Sequence, residues 1–352
     1  MAGRAVLTSP VVRTGSGPVC VITTDGDITA DRVVLELAEA VPVIRFDLAD
    51  FPSRARLDAS FDGARWAGTL TARGRTVRLE EIGSIWWWHP GLPDVSKQSL
   101  AVEEAEWVRN ETVAGVAGTL ASLDCLHLNH PVATRAAQIK PDVLVQAARS
   151  GLAVPPTWVG NRVDGAHRFA TGLDGPVVVK SLVSPVIDYH DGHNATFYTT
   201  RLDPDILNES ITACAHQLQS EIDKAFEVRL AVVGREMFAA RIDAHSAAAA
   251  ADFRSDYDHL TYTPTVLPGH VRSGVWALMD HYRLDYAAID LIVDDDGQWW
   301  LVDLNPAGQF DWIPAELPEL EIVPAMARLL THGTTSPHPW PTPTPSMASG
   351  PP

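Results

Sequence analysis

Three cysteines in 352 residues, Cys20, Cys125 and Cys214, are too few and too widely spaced for a disulfide framework, and their apolar settings read as reduced core thiols. Basic residues are scarce as well: 27 Lys and Arg stand against 44 Asp and Glu, a formal charge of −17. Such a chain lacks the positive surface that nucleic acid or an anionic membrane demands, and acidic solubility is the simplest account of the imbalance. No stretch approaches the roughly 18 to 20 uninterrupted apolar residues of a membrane span, and no basic segment at the N-terminus leads into a long apolar run. A cytosolic protein is expected. Missing too is a Gly-x-x-x-x-Gly-Lys-Ser/Thr phosphate loop, which argues against the P-loop route to nucleotide binding.

What the chain does have is bulk and apolar content, 46% of its residues, enough for two domains or for one with a sizeable insertion. The strand Val19 to Thr24, a helix capped at Thr29 or Asp31, and the strand Val41 to Phe46 open it as a β-α-β unit. Short antiparallel strands are expected around Phe61 to Trp66, Gly68 to Ala72 and Thr76 to Leu79. Trp86-Trp87-Trp88, ending at His89-Pro90, is either core or a binding platform, core being the commoner fate of such residues. A long helix is expected over Ser99 to Leu123. The group Cys125, His127 and His130 has no fourth ligand nearby and fits no common zinc spacing.

The texture changes near Ala133. Thr134 to Ser150 is amphipathic and includes Lys140; Lys180 ends the apolar strand Val177 to Lys180; Ser181 to Leu202 reads as an exposed hairpin turning at Asp191-Gly192. A helix is expected from Asp203 to Ala213, and Glu227 to Val233 reads as a strand with Glu227 and Arg229 on one face. From Thr331 onward almost nothing is apolar, and disorder is expected.

The segment DYAAIDLIVDDDGQWWLVDLNPAGQFDWI, Asp285 to Ile313, reads as a β-hairpin with an Asp-rich turn closed by Gly297. Alternation places Trp300, Val302 and Leu304 on one face and Leu301, Asp303 and Asn305 on the other. An even-length loop sets Val293 against Gln298 and Asp290 against Leu301, so Asp290 joins Asp303 and Asn305; a one-residue slip would remove it. Three oxygen donors on adjacent strands suit a hard cation such as magnesium that also holds phosphate oxygens. The plain alternative is a strand ending at Asn305-Pro306 with Asp290 partnered in the core, and the hairpin alone leaves the two readings even.

The order of Lys140, Lys180, Arg229, Asp290, Asp303 and Asn305 resembles that of the ATP-grasp ligases. The fragments TTDGDITADRVVLEL, VIRFDLADFP, SIWWWHP, HLNHPVATRAAQIKP, GLAVPPTWVGN, VVVKSL, KAFEVRLAVVG, DFRSDY and DLIV through GQWWLVDLNPAGQFDWI resemble, within that superfamily, the peptide maturases of the microviridin or graspetide type. The resemblance implies an α+β chain, an ATP-grasp fold preceded by a small α/β pre-ATP-grasp domain: residues 1–132, then 133–330, then a tail over 331–352. It implies ATP and Mg2+ as cofactors, with Lys140, Lys180, Gln219, Glu221 and Ile222 at the nucleotide and Asp290, Asp303 and Asn305 at the metal. Arg229 and Arg254 would stabilise the acyl phosphate or the oxyanion that follows it. The implied activity joins Asp or Glu side-chain carboxylates to Ser, Thr or Lys side chains of a ribosomal precursor peptide, giving macrocyclic ω-esters or ω-amides. The leader of that peptide would bind the Ser184 to Tyr198 hairpin and the helix after it; a homodimer is a further candidate assembly. Trp88-His89 stands where family members often have an arginine pair, and Asp303 where many have Glu. Two other readings remain: a ligase of the same machinery acting on a free amino acid or small peptide, and a peptide-binding partner without catalysis.

Overall fold

The β-α-β opening is present as β1 (Val19–Ile22), α1 (Ile28–Ala38) and β2 (Val43–Phe46). In the computed structural model, which describes residues 17–333 apart from 97, 184–185, 190–192, 198 and 247–255, Asp27 caps α1, its Oδ1 accepting from the Ala30 N–H at 2.8 Å. The cap therefore lies before the two candidates that the sequence offers.

An antiparallel sheet follows, β3 (Ala55–Phe61), β4 (Trp66–Ala72) and β5 (Arg75–Arg78). The segment from Phe61 to Trp66, expected as strand, joins β3 to β4 through Asp62-Gly63, where the Asp62 carboxylate accepts from the backbone of Ala64 and Arg65. β6 (Ser84–Trp87) returns to the first sheet. α2 (Val102–Thr112) runs through a π-helical turn (Val113–Ala117) into α3 (Gly118–Ala121), and β7 (Leu126–Leu128) completes a parallel sheet ordered β2-β1-β6-β7.

The amphipathic stretch after Ala133 is two helices, α4 (Pro131–Ala137) and α5 (Lys140–Arg149). Pro141 has no N–H and disfavours a helical residue before it, so the first helix stops and the second begins at Lys140. β8 (Thr157–Gly160), α6 (Val163–Thr171), β9 (Val177–Lys180), the hairpin β10 (Val186–Asp188) and β11 (Asn194–Thr196), β12 (Thr200–Leu202) and β13 (His216–Ser220) come next; β12-β9-β13-β8 form one antiparallel sheet. The helix expected from Asp203 is two 3-10 turns, Pro204–Ile206 and Glu209–Ala213, split at Asn208, whose side chain caps the second.

The last sheet is ordered β16-β15-β14-β17-β18, from β14 (Phe226–Val233), β15 (Glu236–Ala244), β16 (Leu260–Thr265), β17 (Tyr286–Val293) and β18 (Trp299–Asn305). α7 (Gly269–Tyr282) precedes β17, and α8 (Trp312–Glu316) and α9 (Ile322–His332) end the described chain. One face of this sheet packs on α4, α5 and α7 through Val228, Leu230, Ile289 and Leu291. The other face packs Ala231, Val233 and Tyr286 on the first sheet, α1 and α9. The residues before and after position 132 thus share a core. Trp86 and Trp88 lie in it and Trp87 in a neighbouring cluster, which answers the tryptophan question in favour of core. The tail expected from Thr331 starts later, since α9 runs to His332, and its part beyond residue 333 lies outside the described residues.

Candidate functional site

Along the face of β14 and β17 that meets the first sheet, the paired residues run Val233 with Tyr286, Ala231 with Ala288, Arg229 with Asp290 and Glu227 with Ile292. The first two pairs are apolar and packed. At Arg229 and Asp290 the apolar contact stops and charge begins.

The hairpin register differs from the expected one. Val293 faces Trp299 and Leu291 faces Leu301, which on regular pairing would turn Asp303 to the opposite side from Asp290. A bulge between Leu301 and Asp303 adds one residue, Val302, and the pairing resumes as Asp290 with Asp303 and Ala288 with Asn305. Asp290, Asp303 and Asn305 therefore share a face as expected, but Leu301 belongs to the core side, where it is 1% exposed.

The two lysines come from other elements. Lys140, at the start of α5, lies 3.7 Å from the Asp303 carboxylate and donates to the Ser181 carbonyl at 3.1 Å. Lys180 ends β9; burial pushes its ammonium below the usual lysine range, Lys140 adds to that, and Asp303, Asp290 and Glu227 oppose it. Two cations and three carboxylates, from β9, α5, β14, β17 and β18, thus act on one another in one place.

Arg229 is 8% exposed, donates to Asp290 at 2.7 Å and to the Gln309 carbonyl at 2.8 Å, and so fixes both a carboxylate and the turn after β18. The Asn305 amide oxygen accepts from the Ala307 N–H at 3.0 Å. Gln219 is 1% exposed and donates to Thr157. Glu221 is bridged twice by Arg201, at 2.6 and 3.0 Å, while its own N–H donates to the Pro176 carbonyl. Ile222 is half-buried on the link from β13 to β14. Arg254 lies outside the described residues.

The zinc spacing resolves into hydrogen bonds. His127 accepts from the Trp87 indole and donates to the Leu123 carbonyl; His130 accepts from the Val132 N–H and donates to the Ala121 carbonyl. Cys20 and Cys125 are buried, but Cys214, expected in an apolar setting, is exposed. Burial pushes the Cys20 thiol up.

The donor set is all oxygen: two carboxylates and an amide. Among the described residues no group of three or more His, Cys, Asp and Glu could hold a metal by itself. Those three oxygens fit an ion that keeps waters and takes its remaining ligands from phosphates, which is how magnesium binds with ATP.

Residues 18–135 match the family model of the MvdD pre-ATP grasp domain. Over the chain, a Chryseobacterium gregarium RiPP-associated ATP-grasp ligase, solved with ADP and a leader and core peptide, is 30% identical at a TM-score of 0.80, covering 89% of this chain and 96% of that one. The chain belongs to the RiPP-associated ATP-grasp ligases. The macrocyclase MdnC of Microcystis aeruginosa, solved with the precursor peptide MdnA, is 25% identical at a TM-score of 0.78, covering 89% and 99%. MdnB of the same organism, 24% identical at a TM-score of 0.74 over 89% and 99%, shares the fold. A comparison with curated proteins gave no match.

In this ligase, Asn129 and Asp27, which the sequence did not single out, hold the turn after β18 together with His89. The Asn129 side chain donates to the carbonyls of Tyr286 and Pro306 and accepts from the N–H groups of Asp285 and Tyr286, all within 3.0 Å. Only its place in HLNHP hinted at it. Asp27 accepts from His89, from the Trp88 indole and from Gln309, and His89 reaches the Ala307 carbonyl at 2.9 Å. His89 thereby ties the first domain to this turn, which gives the departure at Trp88-His89 a local role.

Gly308 has no room for a side chain. A Cβ there would lie 2.6 Å from the Ala288 Cβ, 3.0 Å from Arg229 Nη2 and 3.1 Å from the Asn305 Cβ. Gly308→Ala is therefore expected to destabilise the fold by about 1–3 kcal/mol, through displacement of the turn. Denaturant unfolding checks this; a midpoint equal to that of the unmutated ligase would show that the turn yields freely.

Proposed function

We propose that the ligase activates Asp or Glu side chains of a ribosomal precursor peptide as acyl phosphates and condenses them with Ser, Thr or Lys side chains, closing macrocyclic esters or amides. The observation that carries this reading is the convergence of Lys140 and Lys180 on Asp303 and Asp290 in one place. A carboxylate is a poor electrophile, and converting it to an acyl phosphate with the γ-phosphoryl group of ATP calls for charge neutralisation and alignment. Lys140 and Lys180 supply the cations. Asp290, Asp303 and Asn305 would hold magnesium, which spreads the negative charge of the phosphates when bound. Arg229 holds the Asp290 carboxylate in place, and its remaining N–H groups would meet a developing oxyanion. Gln219, Glu221 and Ile222 line the nucleotide end, where the backbone does the recognition. Arg254 is retained as a second anion-stabilising group.

The leader would lie on the β10–β11 hairpin. Val186, Ile187, Tyr189 and Phe197 are between 38% and 53% exposed there, an apolar surface that a soluble domain rarely leaves uncovered. Binding remote from the reacting groups raises the local concentration of the core. No described helix is long and apolar enough to cross a membrane, and an ATP-consuming reaction fits the cytoplasm.

The test is to incubate the purified ligase with ATP, magnesium and a short peptide encoded beside it that carries a Thr/Ser and Glu/Asp core. Mass spectrometry should show a loss of about 18 Da per ring, with ADP released, as condensation through an activated carboxyl requires. ADP release with free amino acids and none with the peptide would replace this reading with the small-substrate one.

A further inference from the structure

The tight turn joining β4 to β5 is Arg73-Gly74, and both residues have positive φ, +50° and +74°. Two-residue hairpin turns of that geometry favour Asn, Asp or Gly, so an arginine at the first position is strained. Its guanidinium is ion-paired with Asp25 and lies 3.4 Å from Asp50. The Asp25–Arg73 ion pair stands between two hollows. On one side is a pocket of about 500 Å³ lined by the Asp25 to Thr29 turn and Gln309, next to the turn that carries Asn305. On the other is a half-enclosed pocket of about 380 Å³ with Val34, Val41 and Pro42 among its lining, and with Arg45, Arg73 and Arg75 converging on it.

Each of the three arginines is anchored from behind. Arg45 pairs with Asp31 and donates to the Thr24 carbonyl at 2.8 Å, yet its Nε is buried with no hydrogen-bond partner. Arg75 donates Nη1 to the Val43 carbonyl at 2.9 Å and has no carboxylate partner among the described residues. An unsatisfied buried N–H beside a guanidinium with no carboxylate partner among the described residues makes this hollow locally basic in a chain with a formal charge of −17.

The geometry points to a second substrate contact: the Arg45, Arg73 and Arg75 pocket takes a carboxylate of the peptide substrate, other than the one being activated, with an aliphatic neighbour against Val34, Val41 and Pro42. This rests on the reading of the ligase as a peptide macrocyclase, whose substrates carry several acidic side chains. The Asp25–Arg73 ion pair links the two pockets, with Asp25 in the lining of the first and Arg73 in that of the second.

The test uses the full chain and two synthetic probes, N-acetyl-Leu-Glu-amide and its neutral analogue N-acetyl-Leu-Gln-amide, titrated by ligand-observed NMR. Arg75 is exposed and its substitution leaves the core intact. The acidic probe should bind at least about ten-fold more tightly than the neutral one, less so at high salt, and Arg75→Glu should abolish that preference. Equal binding of the two probes, or a preference unchanged by Arg75→Glu, overturns the site. Self-association lost on Arg75→Glu with no probe preference would make a second copy the occupant, and would overturn it equally. The ADP assay separates the two readings: turnover of a peptide without probe preference removes this pocket alone, whereas a preference abolished by Arg75→Glu without ADP release upholds the pocket and removes the ligase reading.

Discussion

Asp303→Asn should lower ADP-forming turnover on the order of a thousand-fold while leaving the melting temperature within a few degrees. The carboxylate is the register partner of Asp290 and the counter-charge nearest Lys140, and it is first among the charges that favour the ionised form of Lys180. An amide keeps the shape and one oxygen donor but withdraws the charge from a site whose other carboxylate is already shared with Arg229. Two lysines then face one another with less compensation, and a divalent ion held there would lose a charged ligand. Stability is little affected because the side chain is one-third exposed, where a pair is worth about 1 kcal/mol or less. ADP release over a magnesium titration, beside thermal unfolding without nucleotide, makes the test. Turnover within ten-fold of the unmutated ligase at any magnesium concentration would remove Asp303 from the metal site.

Lys180→Met should move stability and binding in opposite directions. Burial disfavours the Lys180 ammonium, and the cost is met only by carboxylates at some distance, so an apolar chain of similar length should leave the nucleotide-free fold as stable or more so. Nucleotide affinity should fall about 10- to 100-fold, the worth of one hydrogen bond to a charged group. Calorimetric titration with ADP and magnesium, paired with denaturant unfolding, reads both. A loss of stability with unchanged affinity would make Lys180 a structural residue and sink the phosphate assignment.

Much of this site was legible because its chemistry sits in short segments. Asp290, Asp303, Asn305 and Arg229 lie on strands whose alternation fixes their faces, and Lys180 ends an apolar run. The register was not legible. The expected pairing reached the right face for Asp303 through two departures that cancel: Val293 meets Trp299 instead of Gln298, and Val302 bulges. No property of Val302 announces a bulge, since valine suits a regular strand as well. Asn129, and the contact that His89 makes, escaped for another reason: each acts across more than 150 residues of sequence, on Tyr286 and Ala307, and no local pattern encodes such a pairing. The split at Gln138-Ile139 was readable from Pro141, whereas the Asp203 to Ala213 region has helical composition and lacks the length and apolar stripe to hold a full helix.

The layer of β8, β9, β12, β13 and α6 keeps an apolar cluster of its own, Ala166, Ala170, Val177, Ile211 and Leu218, while the five-stranded sheet shares its core with the first domain. The molecule is accordingly built as one heavy anvil and one light jaw, with residues 221–225 running from the second to the first. Lys180 rides on the jaw and Asp303 on the anvil, so the attraction between them draws on both sides of the molecule at once.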